Sequence, residues 1–180
     1  YGELKGKTDF NTLALIIDEE QMYCEKTMIA LKYMIVELKK LKNLTIAIDN
    51  LKKKDYSGQF FISKIFQGVE LATNIENLTI MRLSKKQIEF KADELELLVD
   101  SVSNFKLKSL ALVNLNFIKT SRKVFIQNIC NNENLTMLGL QFDMDEEEFK
   151  TIIPLLKGMS KLKLLLIGFA NCHGKDKNFR

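Results

Sequence analysis

Residues 135–169 read LTMLGLQFDMDEEEFKTIIPLLKGMSKLKLLLIGF, and this stretch decides the fold. Leu135, Leu138 and Leu140 predict a short strand, because alternate residues of an extended chain share one face. An acidic run follows, and then an apolar stripe at Phe149, Ile152, Ile153, Leu156 and Met159 predicts a helix. Leu162, Leu165 and Ile167 predict a second strand of the same form. Both strands fit L-x-x-L-x-L, so the stretch is one strand–helix unit followed by the opening of the next.

Working outward toward the N-terminus, the same core recurs at Leu107-Leu110-Leu112, Ile75-Leu78-Ile80, Leu41-Leu44-Ile46 and, more weakly, Phe10-Leu13-Leu15. The six starts fall at 10, 41, 75, 107, 135 and 162, spaced by 31, 34, 32, 28 and 27 residues. Such self-similarity marks a repeat array, in which no unit buries its apolar face alone and stacking builds one continuous core.

The intervening segments carry helical stripes. After Asp18-Glu19-Glu20, the residues Cys24, Met28, Leu31, Ile35 and Leu38 predict one helix of about 18 residues. Phe61, Ile65, Val69 and Ala72 predict a second over 58–73, and Leu95, Leu98, Val99 and Val102 a third over 91–104. Val124, Phe125, Ile129 and Cys130 are the inward candidates of a short helix over 121–130, stopped by Asn131-Asn132. Asp143 or Asp145 can cap the last helix, and Pro154 inside it predicts a kink. Residues 51–57, LKKKDYS, form the longest polar insertion.

This recurring core, with a helix between copies, resembles the leucine-rich repeat family, and the long helical units look most like its ribonuclease-inhibitor-like branch. The resemblance spans roughly residues 10–171. It implies an α/β solenoid of about six strands, with a curved parallel sheet on the concave side, helices on the convex side, and binding carried by the concave sheet. The Asn or Cys that the family places ninth in the motif is largely missing, since that position holds Asp49, Leu83, Leu115, Asp143 and Ala170. No regular asparagine ladder is expected there.

Composition fits this reading. The chain has 180 residues, 46% hydrophobic and 28% charged, with one Pro, 8 Gly and no stretch that resembles a linker. A single domain over 1–180 is expected, with a polar tail at 172–180. The first residue is Tyr1 rather than Met, which points to a processed chain, an excised domain or a part of a longer chain or assembly. No apolar run approaches the roughly 20 residues of a membrane span, so no membrane role is expected. The odd number of widely spaced cysteines, Cys24, Cys130 and Cys172, argues for buried free thiols in an intracellular, cytoplasmic setting.

The formal charge of +4 is small, and acids open several helical segments while bases such as Lys39-Lys40, Lys157 and Lys161 close them. A solvated surface matched to the helix dipoles accounts for most of this charge without nucleic acid.

Catalytic constellations are thin. His173 is the sole histidine and lies in the tail beside Cys172, there is no glycine-rich phosphate loop, and the acidic run 143–148 lacks the glycine and ligand alternation of a calcium loop. No catalytic residue, cofactor or metal is therefore expected. Lys52-Lys53-Lys54 and Lys119-Arg122-Lys123 lack interleaved aromatics and read as loop charge. Three glycosylation sequons, at Asn43, Asn77 and Asn134, follow from the repeat itself.

The third, fifth and seventh residues of each core point away from the leucines, and none of these eighteen positions is charged. Two readings stand. Either the strands are buried on both faces, or the C-terminal half of the sheet receives an apolar partner segment at Met81, Ala111, Val113, Met137, Gln141, Leu164 and Leu166. The second makes the chain a non-catalytic protein–protein interaction module. The alternatives are a structural subunit whose sheet stays covered in a complex, and the sensing part of a larger receptor or regulated enzyme.

Overall fold

The computed structural model describes residues 10–49, 62–83, 88–90, 98, 107–117, 119–142 and 146–169. In chain order its elements are β1 (Thr12–Asp18), α1 (Glu19–Met22), α2 (Glu25–Glu37), β2 (Asn43–Asp49), α3 (Ile62–Leu71), β3 (Asn77–Arg82), β4 (Ile88–Phe90), β5 (Ser109–Val113), β6 (Leu115–Phe117), α4 (Lys119–Cys130), β7 (Met137–Phe142), α5 (Glu146–Lys157) and β8 (Leu164–Phe169). Six strands form one sheet in the order β1-β2-β3-β5-β7-β8. Every neighbouring pair is parallel, as helical returns between strands require.

The pairing register is the register of the repeat. Leu13 pairs with Leu44, Leu44 with Leu78, Leu78 with Leu110, Leu110 with Leu138 and Leu138 with Leu165. This alignment stacks the leucines into a continuous row, and a slip of one residue would turn each strand's apolar set to the other face. Leu44, Leu78, Leu110 and Leu138 are no more than 1% exposed, as are Ile46, Ile80 and Leu112 in the next row. Burial of each such side chain is worth about 1.5–3 kcal/mol, so the two rows carry much of the fold.

The first leucine of the motif behaves differently from the expectation. Leu41, Ile75, Leu107 and Leu135 are buried, but each precedes its strand, which begins two residues later. The chain is still turning there: Leu41 N–H bonds to Leu38 O and Leu135 N–H to Asn132 O, both within the turn. The motif thus marks a buried turn residue followed by two strand residues.

Helices close the other side of this core. α2 and α3 pack closely at Gly68, where an added Cβ would lie 3.0 Å from Lys32 Cα and 3.1 Å from its carbonyl oxygen. α3 contributes Ile65, Phe66, Val69 and the adjoining Ala72, and α5 contributes Ile152 and Leu156, with Met159 just beyond it. Glu146, Glu147 and Glu148 occupy the first turn of α5 and Lys157 the last, the distribution that the helix dipole favours. The helix runs through the exposed Pro154.

Several details depart from the sequence reading. The first helix is two, broken at Tyr23-Cys24, and Cys24 is exposed rather than buried. Met22 fills the core position on the near side of the break and Met28 the one beyond it. Val124 is 55% exposed, while Ile126 is buried with Phe125 and Ile129, so α4 docks rotated from the predicted stripe. A small parallel pair, β4 with β6, was not foreseen, and Asn114 turns the chain between β5 and β6 at a φ of 56°, a conformation Asn tolerates. The expected helix over 91–104 lies outside the described residues apart from Leu98, which is buried. Phe61, Lys52-Lys53-Lys54, Asp143, Asp145, Cys172 and His173 also lie outside them.

Candidate functional site

The candidate site is the sheet face opposite the helices. Its residues stand in three rows that cross all six strands. The first is Thr12, Asn43, Asn77, Ser109, Met137 and Leu164; the second is Ala14, Thr45, Thr79, Ala111, Gly139 and Leu166; the third is Ile16, Ala47, Met81, Val113, Gln141 and Gly168. Apart from Ala47 and Gly139, these positions are partly or fully exposed, while the alternating apolar residues of the inner strands β2, β3, β5 and β7 are buried. These strands are therefore covered on one face only.

The face divides by chemistry along the sheet. On β1–β3 its first row is polar and forms a hydrogen-bonded chain: Asn77 Nδ2 donates to Asn43 Oδ1 at 2.6 Å, Asn43 Nδ2 donates to Thr12 Oγ1 at 3.0 Å, and the Thr12 hydroxyl donates to Asn11 Oδ1 at 3.0 Å. An asparagine ladder thus exists, but at the third motif position rather than the ninth. Toward β8 the same row continues as Met137 and Leu164, which have no polar atom able to extend the chain.

Of the seven residues expected from sequence to receive a partner, six lie on β5, β7 and β8 and Met81 adjoins them on β3. Met81 pairs with Val113 and Val113 with Gln141 in the third row, Ala111 and Leu166 flank Gly139 in the second, and Met137 pairs with Leu164 in the first. Leu164 and Leu166 are 44% and 54% exposed. Glycine shapes the surface here: a Cβ on Gly168 would lie 3.0 Å from Gln141 Cγ, so the Gln141 side chain lies over space that only glycine leaves open. Ala111 and Gly139 form a shallow floor between Met137 and Gln141.

Ile16, one of the eighteen positions expected to point away from the leucines, is 71% exposed at the opposite edge of the face, beside Ala14 and the buried Ala47. Sequence reasoning missed one feature. Arg82 is buried on the core side of β3 in register with Ile48, and it makes polar or ring contacts within the fold. Its place in the apolar alternation after Leu78 and Ile80 was the available signal.

Two thiols differ in environment. Cys24 takes the N-cap position of α2 with extended backbone and makes no full cap bond, yet hydrogen bonding from the Thr27 hydroxyl and N–H lowers its pKa. Burial raises that of Cys130. Among the described residues, no three His, Cys, Asp or Glu side chains gather as metal ligands would, and no helix is long and apolar enough to cross a membrane.

No protein-family model matches the chain, and no curated protein matches it in sequence. Among solved structures it is similar to the tropomodulin C-terminal domain from Caenorhabditis elegans, with a TM-score of 0.53 over 87% of this chain and 89% of that one, at 12% identity. A likeness at that identity concerns backbone architecture alone. The chain has a leucine-rich-repeat-like α/β fold, with a six-stranded parallel sheet and returning helices.

Proposed function

We propose that this chain is a non-catalytic protein–protein interaction module that takes an apolar segment of a partner on the C-terminal half of its open sheet face. The supporting observation is the contiguous uncharged patch of Met81, Ala111, Val113, Met137, Gln141, Leu164 and Leu166, on strands of which β3, β5 and β7 have their opposite face closed by the core. Contiguous apolar surface of this kind usually marks an interaction site. A row of parallel strands builds such a surface without a pocket for chemistry. On this reading the protein acts inside the cell as part of a longer chain or assembly and belongs with the ribonuclease-inhibitor-like repeats, a placement supported by its helical returns and long units.

A second reading, a structural subunit whose sheet end stays covered in a complex, is favoured by one observation. Leu165 lies on the core side of β8 in register with the buried Leu138, yet it is 39% exposed.

The test compares the proteins that co-purify with the wild type and with Val113→Glu/Met137→Glu. Loss of one defined partner, at an unchanged thermal midpoint, supports the module. Full retention of every partner counts against it.

A further inference from the structure

Beyond the open face, the structure orders the residues that immediately precede the strands. Glu76 N–H bonds to Lys42 O at 2.8 Å, Lys108 N–H to Glu76 O at 2.7 Å, Thr136 N–H to Lys108 O at 2.9 Å and Lys163 N–H to Thr136 O at 2.8 Å. Lys42, Glu76, Lys108, Thr136 and Lys163 therefore stand in one row along the end of the sheet where the strands begin. Lysine recurs at every second place in this row. With strands about 4.8 Å apart, successive lysines are rooted about 10 Å from one another.

The row carries surplus positive charge. Glu76 is shared by Lys42 at 3.2 Å and Lys108 at 2.6 Å, and all three remain partly exposed. Among the described residues, no carboxylate pairs with Lys163, nor with Lys161 and Lys39 in the adjoining turns. Glu133 is the one other acid in these turns. A cleft of about 910 Å³ opens beside Glu76, lined in part by Lys39, Lys40, Lys42 and Lys108. Dipole matching does not account for the row, because Lys42, Lys108 and Lys163 belong to strand entries rather than helix ends.

We propose that this lysine row is a docking rim for an acidic protein segment in polyproline II conformation, crossing the strand ends with a carboxylate at every third residue. The spacing matches, since one three-residue turn of that helix advances about 9.3 Å and returns every third side chain to the same side, close to the roughly 10 Å between alternate strands. Complementary charge speeds encounter and fixes register more than it adds affinity, so the rim orients a partner held elsewhere or holds a weak one alone. Nucleic acid is the poorer fit, because no aromatic side chain stands in the row to stack a base. The inference is independent of the apolar patch, and its variants touch none of that patch's residues.

The test uses the whole 180-residue chain and fluorescence anisotropy at low salt. The probe is a labelled peptide of repeated Asp-Ser-Gly, with an Asn-Ser-Gly peptide as the neutral control. The acidic peptide should bind and the neutral one should not. Lys108→Glu/Lys163→Glu should weaken binding by about tenfold or more. Glu76→Gln should strengthen it several-fold by freeing Lys42 and Lys108, a gain that a purely structural Glu76 does not predict. Lys163→Gln, which breaks no ion pair, should weaken binding with the circular dichroism spectrum unchanged. The proposal is overturned if the acidic peptide fails to bind or if binding ignores these lysines. It is equally overturned if a single-stranded oligonucleotide or anionic lipid vesicles bind more tightly through the same residues.

Discussion

Asn77 donates its side-chain amide to Asn43 Oδ1 at 2.6 Å, across 34 residues of sequence but only one strand spacing. Asn43 passes the bond on to Thr12 Oγ1 and to Asn11 O, at 3.0 and 3.3 Å. The two asparagines thus tie three repeats together on the open face of the sheet.

Asn43→Ala should cost more than Asn77→Ala, because it removes three contacts and leaves the Asn77 amide without its acceptor. The expected losses are about 1–3 and about 0.5–1.5 kcal/mol, read from urea unfolding. A double-mutant cycle should give a coupling of about 0.5 kcal/mol or more. Strict additivity would show that the pair contributes nothing jointly.

The alternation predicts opposite outcomes for neighbours on β5. Leu110→Glu places a charge in the buried row and should unfold the protein, whereas Val113→Glu on the open face should leave the thermal midpoint within a few degrees. Equal destabilisation would mean that the open face is core.

Leu138 and Leu165 are register partners, but only the first is fully buried. Leu138→Ala should cost about 2–5 kcal/mol. Leu165→Ala should cost clearly less, with the difference measured in denaturant midpoints at a common slope. Equal losses would show that β8 is as well covered in solution as β7.

Glu76 is held below its ordinary pKa, first by its hydrogen bond from Lys108 and then by that from Lys42. A depressed carboxylate stabilises the fold above its unfolded pKa of about 4.3, and that contribution disappears as pH falls through the lower folded value. Carbon-detected titration should find Glu76 below the ordinary glutamate value. Glu76→Gln should flatten the loss of stability in acid. An unchanged acid limb would assign that loss to other carboxylates.

The two described thiols should react in a fixed order. Cys24 is exposed with its thiolate favoured by Thr27, and Cys130 is part-buried with its thiol form favoured, so iodoacetamide should label Cys24 first. Thr27→Val should slow that reaction. Peptide mapping after brief labelling reads both, and preferential labelling of Cys130 would contradict the assignment.

The repeat of the leucines was legible from sequence alone, because Leu44, Leu78, Leu110 and Leu138 hold the same place in successive units, 34, 32 and 28 residues apart, and burial imposes the same side on each. From that repeat followed the strand order, the parallel pairing and the uncharged character of the open face. Helix phase was less legible: Val124 and Ile126 are equally apolar, and docking against the neighbouring helices, rather than composition, decided which turned inward. The break at Tyr23-Cys24 was hidden for a similar reason, since Met22 and Met28 serve the core from either side of it.

Contacts between repeats lay beyond the sequence. Asn43 and Asn77 were visible as recurring sequons, and Lys42, Lys108 and Lys163 as scattered bases, but their meaning depends on which residues stand one strand apart. The sequence by itself determined the repeat, its buried side and its polar or apolar surfaces, because local periodicity encodes which face of each element avoids water. Only the tertiary structure decided the asparagine chain, the shared Glu76 and the lysine row, because parallel register brings residues about 30 positions apart within hydrogen-bonding distance.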